Sequence, residues 1–312
     1  MPQPEGAPAP PPPLISIIVP HYNDLAHLAQ CLEHLRHQSW PAERREIIIA
    51  DNNSDGGVAA VEAIAGDARV VAAREQGAGP ARNAAVAAAR GGILAFIDSD
   101  CFAAETWLAE GLAALERFDY VGGEVRICVP DPRRPTPAEA YEIVFAFDFR
   151  KYIEQDRFSG TGNLFVPKGV FERVGDFRNG VSEDIDWCRR ANALGYRLGY
   201  AERAVVEHPA RREWHELTRR WNRVIAEMFR LRREEPHWVR GWLVYTALVA
   251  LSPLPHALRI LRHERLPGAR NKIFGLLALF GLREYRAFRM LRCFWQCRAT
   301  NLSRPASIRT VE

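Results

Sequence analysis

The sequence predicts an α/β fold: a mostly parallel, Rossmann-like sheet flanked by helices, followed by a C-terminal helical, membrane-associating segment. Three observations predict it. Short apolar runs alternate with helical patterns through the first hundred residues, which is the mark of right-handed βαβ units. One of these runs, Ile93-Leu94-Ala95-Phe96-Ile97, leads straight into Asp98-Ser99-Asp100, and ligand sites in open α/β sheets lie at the carboxyl ends of strands. Charge then divides the chain: residues 208–312 hold 21 Lys and Arg against 8 Asp and Glu, whereas residues 1–207 hold 21 against 30. An acidic front suits cations and a basic rear suits phosphate or an anionic membrane surface. The expected organisation is a tail over 1–13, an α/β domain over 14–210 and a basic helical region over 211–312.

The elements follow in order. Residues 1–13 are rich in Pro with Ala and Gly, a composition that cannot bury a core. They lack the basic and apolar regions of a signal peptide, which predicts a cytoplasmic α/β domain. Ile15-Ser16-Ile17-Ile18-Val19 is a β-branched run stopped by Pro20 and reads as a central strand. Asn23-Asp24 caps a helix over 24–37, with Leu25, Leu28, Leu32 and Leu35 on one face. Glu46-Ile47-Ile48-Ile49-Ala50 is a second strand, running into the turn-forming Asp51-Asn52-Asn53-Ser54-Asp55-Gly56-Gly57. A helix over 58–65, a strand over 69–73 and an Ala-rich helix over 80–90 lead to the strand at 93–97.

Beyond it the pattern predicts a helix over 105–117, a strand over 120–129, a long helix over 138–155 and a strand at Leu164-Phe165-Val166. Ser182-Glu183-Asp184 reads as a helix start, and Gly195 stops that helix. Short strands over 196–198 and 204–206 precede an Arg-rich helix over 211–233. Two apolar stretches follow, 238–251 and 273–282. Neither reaches the roughly 18–20 residues that span a bilayer. Flanking Trp, Tyr and Arg suit an interfacial or re-entrant hairpin. The six cysteines are scattered, with no Cys-x-x-Cys, and predict neither a disulfide scaffold nor a zinc site. Cys293 and Cys297, at i and i+4, read as helix-face residues.

Asp98 and Asp100 stand on one side of an extended segment. Two carboxylates held together repel each other, and a hard divalent cation such as Mg²⁺ or Mn²⁺ relieves the repulsion. The plainer reading is a polar turn after a strand. Gly77-Ala78-Gly79-Pro80-Ala81-Arg82 opens a helix after a strand and could receive a phosphate. Arg82 stands where a dinucleotide fingerprint needs its third glycine, which argues against an NAD site. The basic helices lack the aromatic and basic interleaving of nucleic-acid binders, so no nucleic-acid partner is expected.

Six segments carry a resemblance when read together. They are Ile18-Val19-Pro20-His21-Tyr22-Asn23, Ala50 to Gly56, Ala81-Arg82-Asn83, Asp98-Ser99-Asp100, Gly162-Asn163-Leu164-Phe165 and Glu183-Asp184-Ile185-Asp186-Trp187-Cys188. In this order and spacing, from about residue 14 to about 210, the chain resembles the family 2 inverting glycosyltransferases with the GT-A fold. The resemblance implies that Pro20, Tyr22 and Asn23 line a nucleoside pocket and that Asp51 accepts from the base. Asn52 stands where many relatives carry a second Asp. Arg82 approaches the nucleoside or diphosphate, Asp98 the ribose or a metal-bound water, and Asn163 joins the nucleotide-sugar set. Asp100 binds the metal, with His208 as another metal or diphosphate contact. Asp184 is the general base, supported by Glu183.

The chemistry requires these types. An acceptor hydroxyl displaces a sugar from a nucleoside diphosphate, whose growing charge a divalent cation neutralises. The hydroxyl needs a carboxylate to take its proton. One base on the face opposite the leaving group implies inversion. Processive members of the family carry Gln-x-x-Arg-Trp; here Arg220-Trp221 follow Leu217, which implies transfer of a single sugar. The expected donor is UDP-linked. The expected acceptor is a glycan or lipid-linked intermediate, met by an enzyme peripheral to, or re-entrant in, the inner face of the cell membrane. A sugar-nucleotide nucleotidyltransferase needs a Gly-rich basic loop where Pro20-His21-Tyr22-Asn23 stands, and a non-catalytic sugar-binding protein would not need Asp100 and Asp184.

Overall fold

The computed structural model describes residues 13–302, with side chains as far as Cys297; the expected tail at 1–13 lies, apart from its last residue, outside the described residues. The chain forms two compact units. The first takes the residues up to Arg126, then Asp148–Asn179 and Glu183–His208; the second takes Ile127–Phe147, Gly180–Ser182 and everything from Pro209 onward.

In the first unit, β1 (Ile15–His21), β2 (Arg45–Asp51), β3 (Arg69–Ala72) and β4 (Ile93–Ile97) run parallel. They are joined by α1 (Leu25–Arg36), α2 (Gly57–Ala65) and α3 (Ala78–Ala88). Next come β5 (Phe102–Ala103), α4 (Trp107–Leu115) and β6 (Tyr120–Cys128). After α5 (Pro137–Phe145) and α6 (Phe149–Glu154), the chain returns as β7 (Asn163–Pro167), antiparallel to both β4 and β6. Then follow α7 (Lys168–Val174), α8 (Glu183–Ala193) and β8 (Leu198–Pro209). The eight strands lie in the order β3-β2-β1-β4-β7-β6-β8-β5.

The parallel register explains where the site forms. His21 pairs with Asp51, and Ile18 pairs with both Ile48 and Phe96. The carboxyl ends of β1, β2 and β4 therefore share one edge, and Asp98 emerges there. Continuous burial drives these strands inward: Ile15, Ile17, Ile18 and Val19 are all fully buried, each removal from water being worth about 1.5–3 kcal/mol. Phe96, Phe171, Phe177 and Trp187 pack ring on ring beneath α8, with Phe171 and Trp187 stacked at 5.8 Å.

The second unit is helical: α5 with α9 (Trp214–Arg232), α10 (Trp238–Leu251), α11 (Pro253–Arg262) and α12 (Gly268–Leu302). Leu217, Ile260, Leu279 and Leu282 are fully buried in its core, and Cys293 and Cys297 pack against a second cluster around Trp242 and Met290.

Several expectations are corrected. The helix over 138–155 is two helices, because Asp148 caps α6 by accepting from Lys151 N at 3.2 Å. A reciprocal Thr136–Glu139 capping box starts the first of the pair. The short strands over 196–198 and 204–206 are one twelve-residue strand, β8. The second apolar stretch, 273–282, lies in the front part of α12, which runs for 35 residues. α7 and α11 are further helices, α11 starting at Pro253 inside the break that Ser252-Pro253-Leu254-Pro255 makes after α10. The stop at Gly195 holds, with φ +88° in the left-handed region that glycine enters freely.

Candidate active site

The site grows from the register. Ile97 of β4 pairs with Asn163 of β7, which brings Gly162 beside Asp98. A Cβ on Gly162 would lie 2.8 Å from Asp98 Oδ2, so only glycine leaves that carboxylate its space. Arg82, one turn into α3 and only 4% exposed, ties the edge together. Its guanidinium donates to Asp98 Oδ1 at 2.5 Å and to Glu183 Oε1 at 2.7 Å. Burial alone would lower the Arg82 guanidinium, but Asp98 and Glu183, with Asp184 beyond them, more than offset it and raise it. Arg82 thus joins the end of β4 to the start of α8, and Asp184 stands in the first turn of that helix.

At Asp100, His208 Nε2 lies 3.4 Å from Oδ2. Asp98, Asp100 and Cys101 place ligand atoms within 4.8 Å of one another. Burial, with Asp100 and Asp98 nearby, holds the Cys101 thiol well above its usual range. A protonated thiol is a poor ligand for a hard cation, so the oxygens of Asp98 and Asp100 with the imidazole of His208 are the better donor set. Arg82 faces Asp98, Glu183 and, further off, Asp184. The clustered oxygens of Asp98 and Asp100, with the clearance at Gly162, fit a divalent metal.

The β1–β2 end forms the other half. His21, 1% exposed, accepts at Nε2 from Asp24 N at 3.1 Å, which puts the ring proton on Nδ1. Nδ1 faces Asp51 Oδ1 at 3.5 Å and Ser54 Oγ at 3.4 Å. Asn23, at φ +53°, clasps the following turn through both amide atoms: Asp55 N donates to Oδ1 at 2.8 Å, and Nδ2 donates to Asp55 Oδ2 at 3.2 Å. His21, Asn23, Ser54 and Gly56 line a pocket of about 300 Å³. Tyr22 is 48% exposed beside it. Asn52 accepts from Gly77 N at 2.7 Å and so anchors the glycine loop.

Two expectations change here. Asn163 is fully buried, accepts from Trp107 Nε1 at 2.8 Å and donates to the carbonyls of Glu124 and Ala204. Both amide hydrogens are used inside the protein, so Asn163 braces the sheet and does not reach a donor. The start of α3 is also not an open phosphate cradle. A Cβ on Gly79 would meet Arg178 O at 2.9 Å, and one on Gly77 would meet Asn179 Oδ1. Asn83 clamps this covering segment by donating to Phe177 O at 2.9 Å and accepting from Phe177 N at 3.0 Å. Sequence reasoning passed over His21, Asn83 and Gly162 as site-forming residues, although all three stand inside the quoted motifs.

Comparison with known proteins gives the decisive observation: the family model "Glycosyl transferase family 2" matches residues 16–177. The chain belongs to glycosyltransferase family 2. This glycosyltransferase is 32% identical over 208 residues to glycosyltransferase AglE of Haloferax volcanii, covering 64% of this chain and 68% of that one. It is 37% identical over 105 residues to the uncharacterized glycosyltransferase YfnE of Bacillus subtilis, or 32% and 26% of the two chains. Among solved structures it is similar to mannosyltransferase PcManGT from Pyrobaculum calidifontis, in complex with GDP-Man and Mn²⁺. That match has a TM-score of 0.60 at 19% identity and covers 91% and 88% of the two chains. The glycosyltransferase therefore has the GT-A fold, with a curled eight-stranded sheet flanked by helices.

Proposed function

We propose that this glycosyltransferase moves one sugar, with inversion, from a UDP-linked donor to a hydroxyl of a glycan or lipid-linked acceptor, for cell-surface polysaccharide or glycolipid synthesis. The observation that carries the reading is the Arg82 bridge: it engages Asp98 and Glu183 and sets Asp184 at a helix start on the same edge as Asp100. Asp184 takes the acceptor's proton, and the helix N-terminus favours its ionised form. Asp100 and His208, with Asp98, would hold Mg²⁺ or Mn²⁺, which when bound neutralises charge on the leaving diphosphate. Tyr22 and Asn23 flank the base, and Asp51 accepts from it. A GDP-linked donor is the second reading, favoured by the GDP-Man complex of the similar mannosyltransferase. Inversion is checked without knowing the acceptor. Slow hydrolysis of the donor should release sugar of the opposite anomeric configuration, read by proton NMR before mutarotation. Retained configuration rules out a single displacement.

The same reading places the second unit on the inner face of a membrane. Fourteen of the eighteen exposed large apolar side chains among the described residues fall between Val239 and Trp295. Leu248, Leu251, Leu254 and Leu277 are each more than 60% exposed. Among the described residues, no single helix is long and apolar enough to cross a membrane, although α10 and α11, bent by 43°, pass that test as a pair. Full-length protein should pellet with vesicles containing anionic lipid. Replacing Leu248, Leu254 and Leu277 together by Glu should weaken that binding by at least 10²-fold, at about 1.5–3 kcal/mol per inserted side chain. Unchanged sedimentation contradicts the membrane reading.

A further inference from the structure

The arginines of the second unit differ in how they are paired. Glu142, fully buried, is shared by Arg211 at 3.0 Å and Arg220 at 3.4 Å. Glu139 serves Arg212 at 3.3 Å. Among the described residues, no carboxylate lies within ion-pairing distance of Arg259, Arg283 or Arg286. Yet these three converge. The guanidinium groups of Arg259 and Arg283 stand 5.3 and 5.8 Å from the centre of the Phe145 ring, and the Phe145 ring lies 5.3 Å from that of Tyr141. Arg286 is 4% exposed and rests on the Trp221 ring at 3.3 Å. Its Nε, the Nε of Arg283 and the Trp221 indole nitrogen are buried without a hydrogen-bond partner, and the Tyr141 hydroxyl lies beside the Arg286 guanidinium.

A buried guanidinium is costly unless paired, and an aromatic face satisfies its charge but none of its N–H groups. Burial, with Arg283 adding to it, pulls the Arg286 guanidinium down to about 10. Five donors in a planar fork match the paired oxygens of a phosphate or a carboxylate, and three arginines together favour the more highly charged phosphate. The helices that carry these arginines also carry exposed apolar residues: Leu258 and Leu261 on α11, Leu277 and Phe280 on α12. A head group held by the arginines would leave acyl or prenyl chain to lie along that apolar surface.

We infer that Arg286, with Arg283 and Arg259, forms a second site that binds the phosphate group of a lipid. The lipid source rests on the membrane reading given under Proposed function; the phosphate site itself does not.

The test uses the full chain in EDTA, so that no metal-held phosphate contributes at the first unit. Inorganic pyrophosphate at 100 times its Kd should raise the melting temperature of the wild type by on the order of 5 °C. Arg286→Met should melt no lower than wild type without anion, because the unpaired charge is gone, and should lose the pyrophosphate shift. Arg283→Gln, at a less buried position, should weaken the shift while keeping the fold. Wild type should prefer phosphatidylcholine vesicles containing phosphatidic acid over phosphatidylcholine alone, and Arg286→Met should lose that preference. Equal shifts in wild type and Arg286→Met overturn the site, as does an Arg286→Met protein that melts well below wild type while Arg283→Gln keeps the full shift. A pyrophosphate shift without a phosphatidic-acid preference overturns the lipid source. Mn²⁺-dependent donor binding, measured separately, should survive in Arg286→Met, so failure here and failure of the donor site are told apart.

Discussion

Asp184→Asn should bind donor as wild type does and transfer sugar on the order of 10²–10⁴ times more slowly, the usual range for losing a general base. The substitution keeps shape and hydrogen-bonding capacity but cannot accept the proton. Asp184 is the member of the Glu183-Asp184 pair to test, because Glu183 is held by Arg82 at 2.7 Å. Glu183→Gln would weaken the bridge itself and disturb Asp98 on the other side of the same guanidinium. A loss of turnover there would mix positioning with chemistry. In Asp184→Asn the bridge stays whole, so kcat should fall with little change in donor Kd. Near-normal turnover removes Asp184 from the role of base.

Asp100→Ala should abolish the metal-dependent part of donor binding, a loss on the order of 10²-fold in affinity, comparable to removing one strong electrostatic contact to developing charge. Asp98 does not substitute for it, because its Oδ1 is engaged by Arg82. His208→Ala should show the same defect in smaller measure, since His208 lies 3.4 Å from Asp100 Oδ2 and the carboxylate carries the charge. Calorimetric titration of the nucleotide sugar with and without Mn²⁺ reads both variants.

Particular residues show what the sequence made legible. The β-branched runs at 15–19 and 46–50 declared buried parallel strands, and the register then carried His21, Asp51 and Asp98 to one edge. Glu183 and Asp184 were legible as a helix start and sit there. Asn163 misled, because a polar residue at a strand start looks available, while its burial depends on Trp107 from another element. The glycine pair Gly77 and Gly79 misled similarly: local spacing suggested a phosphate cradle, and the segment that covers it arrives from a hundred residues further along. The division of the chain was also hidden. Residues 127–147 join the C-terminal helices in one unit, a pairing set by the buried faces of α5 and α12 and carried by no local pattern. Arg286 lay unremarked within a general basic excess, and only its burial against Trp221 set it apart.

The central claim is a metal-dependent nucleotide-sugar site at the ends of β1, β2 and β4. It is tested most directly by thermal denaturation of wild type and Asp100→Ala against UDP-, GDP- and dTDP-sugars, each with Mn²⁺ and with EDTA. A bound ligand at 100 times its Kd adds about 2.7 kcal/mol of stability. The account predicts a rise of several degrees in the wild type for one nucleotide class, UDP first, that requires Mn²⁺ and disappears in Asp100→Ala. A shift of equal size in EDTA, or one retained by Asp100→Ala, would contradict it.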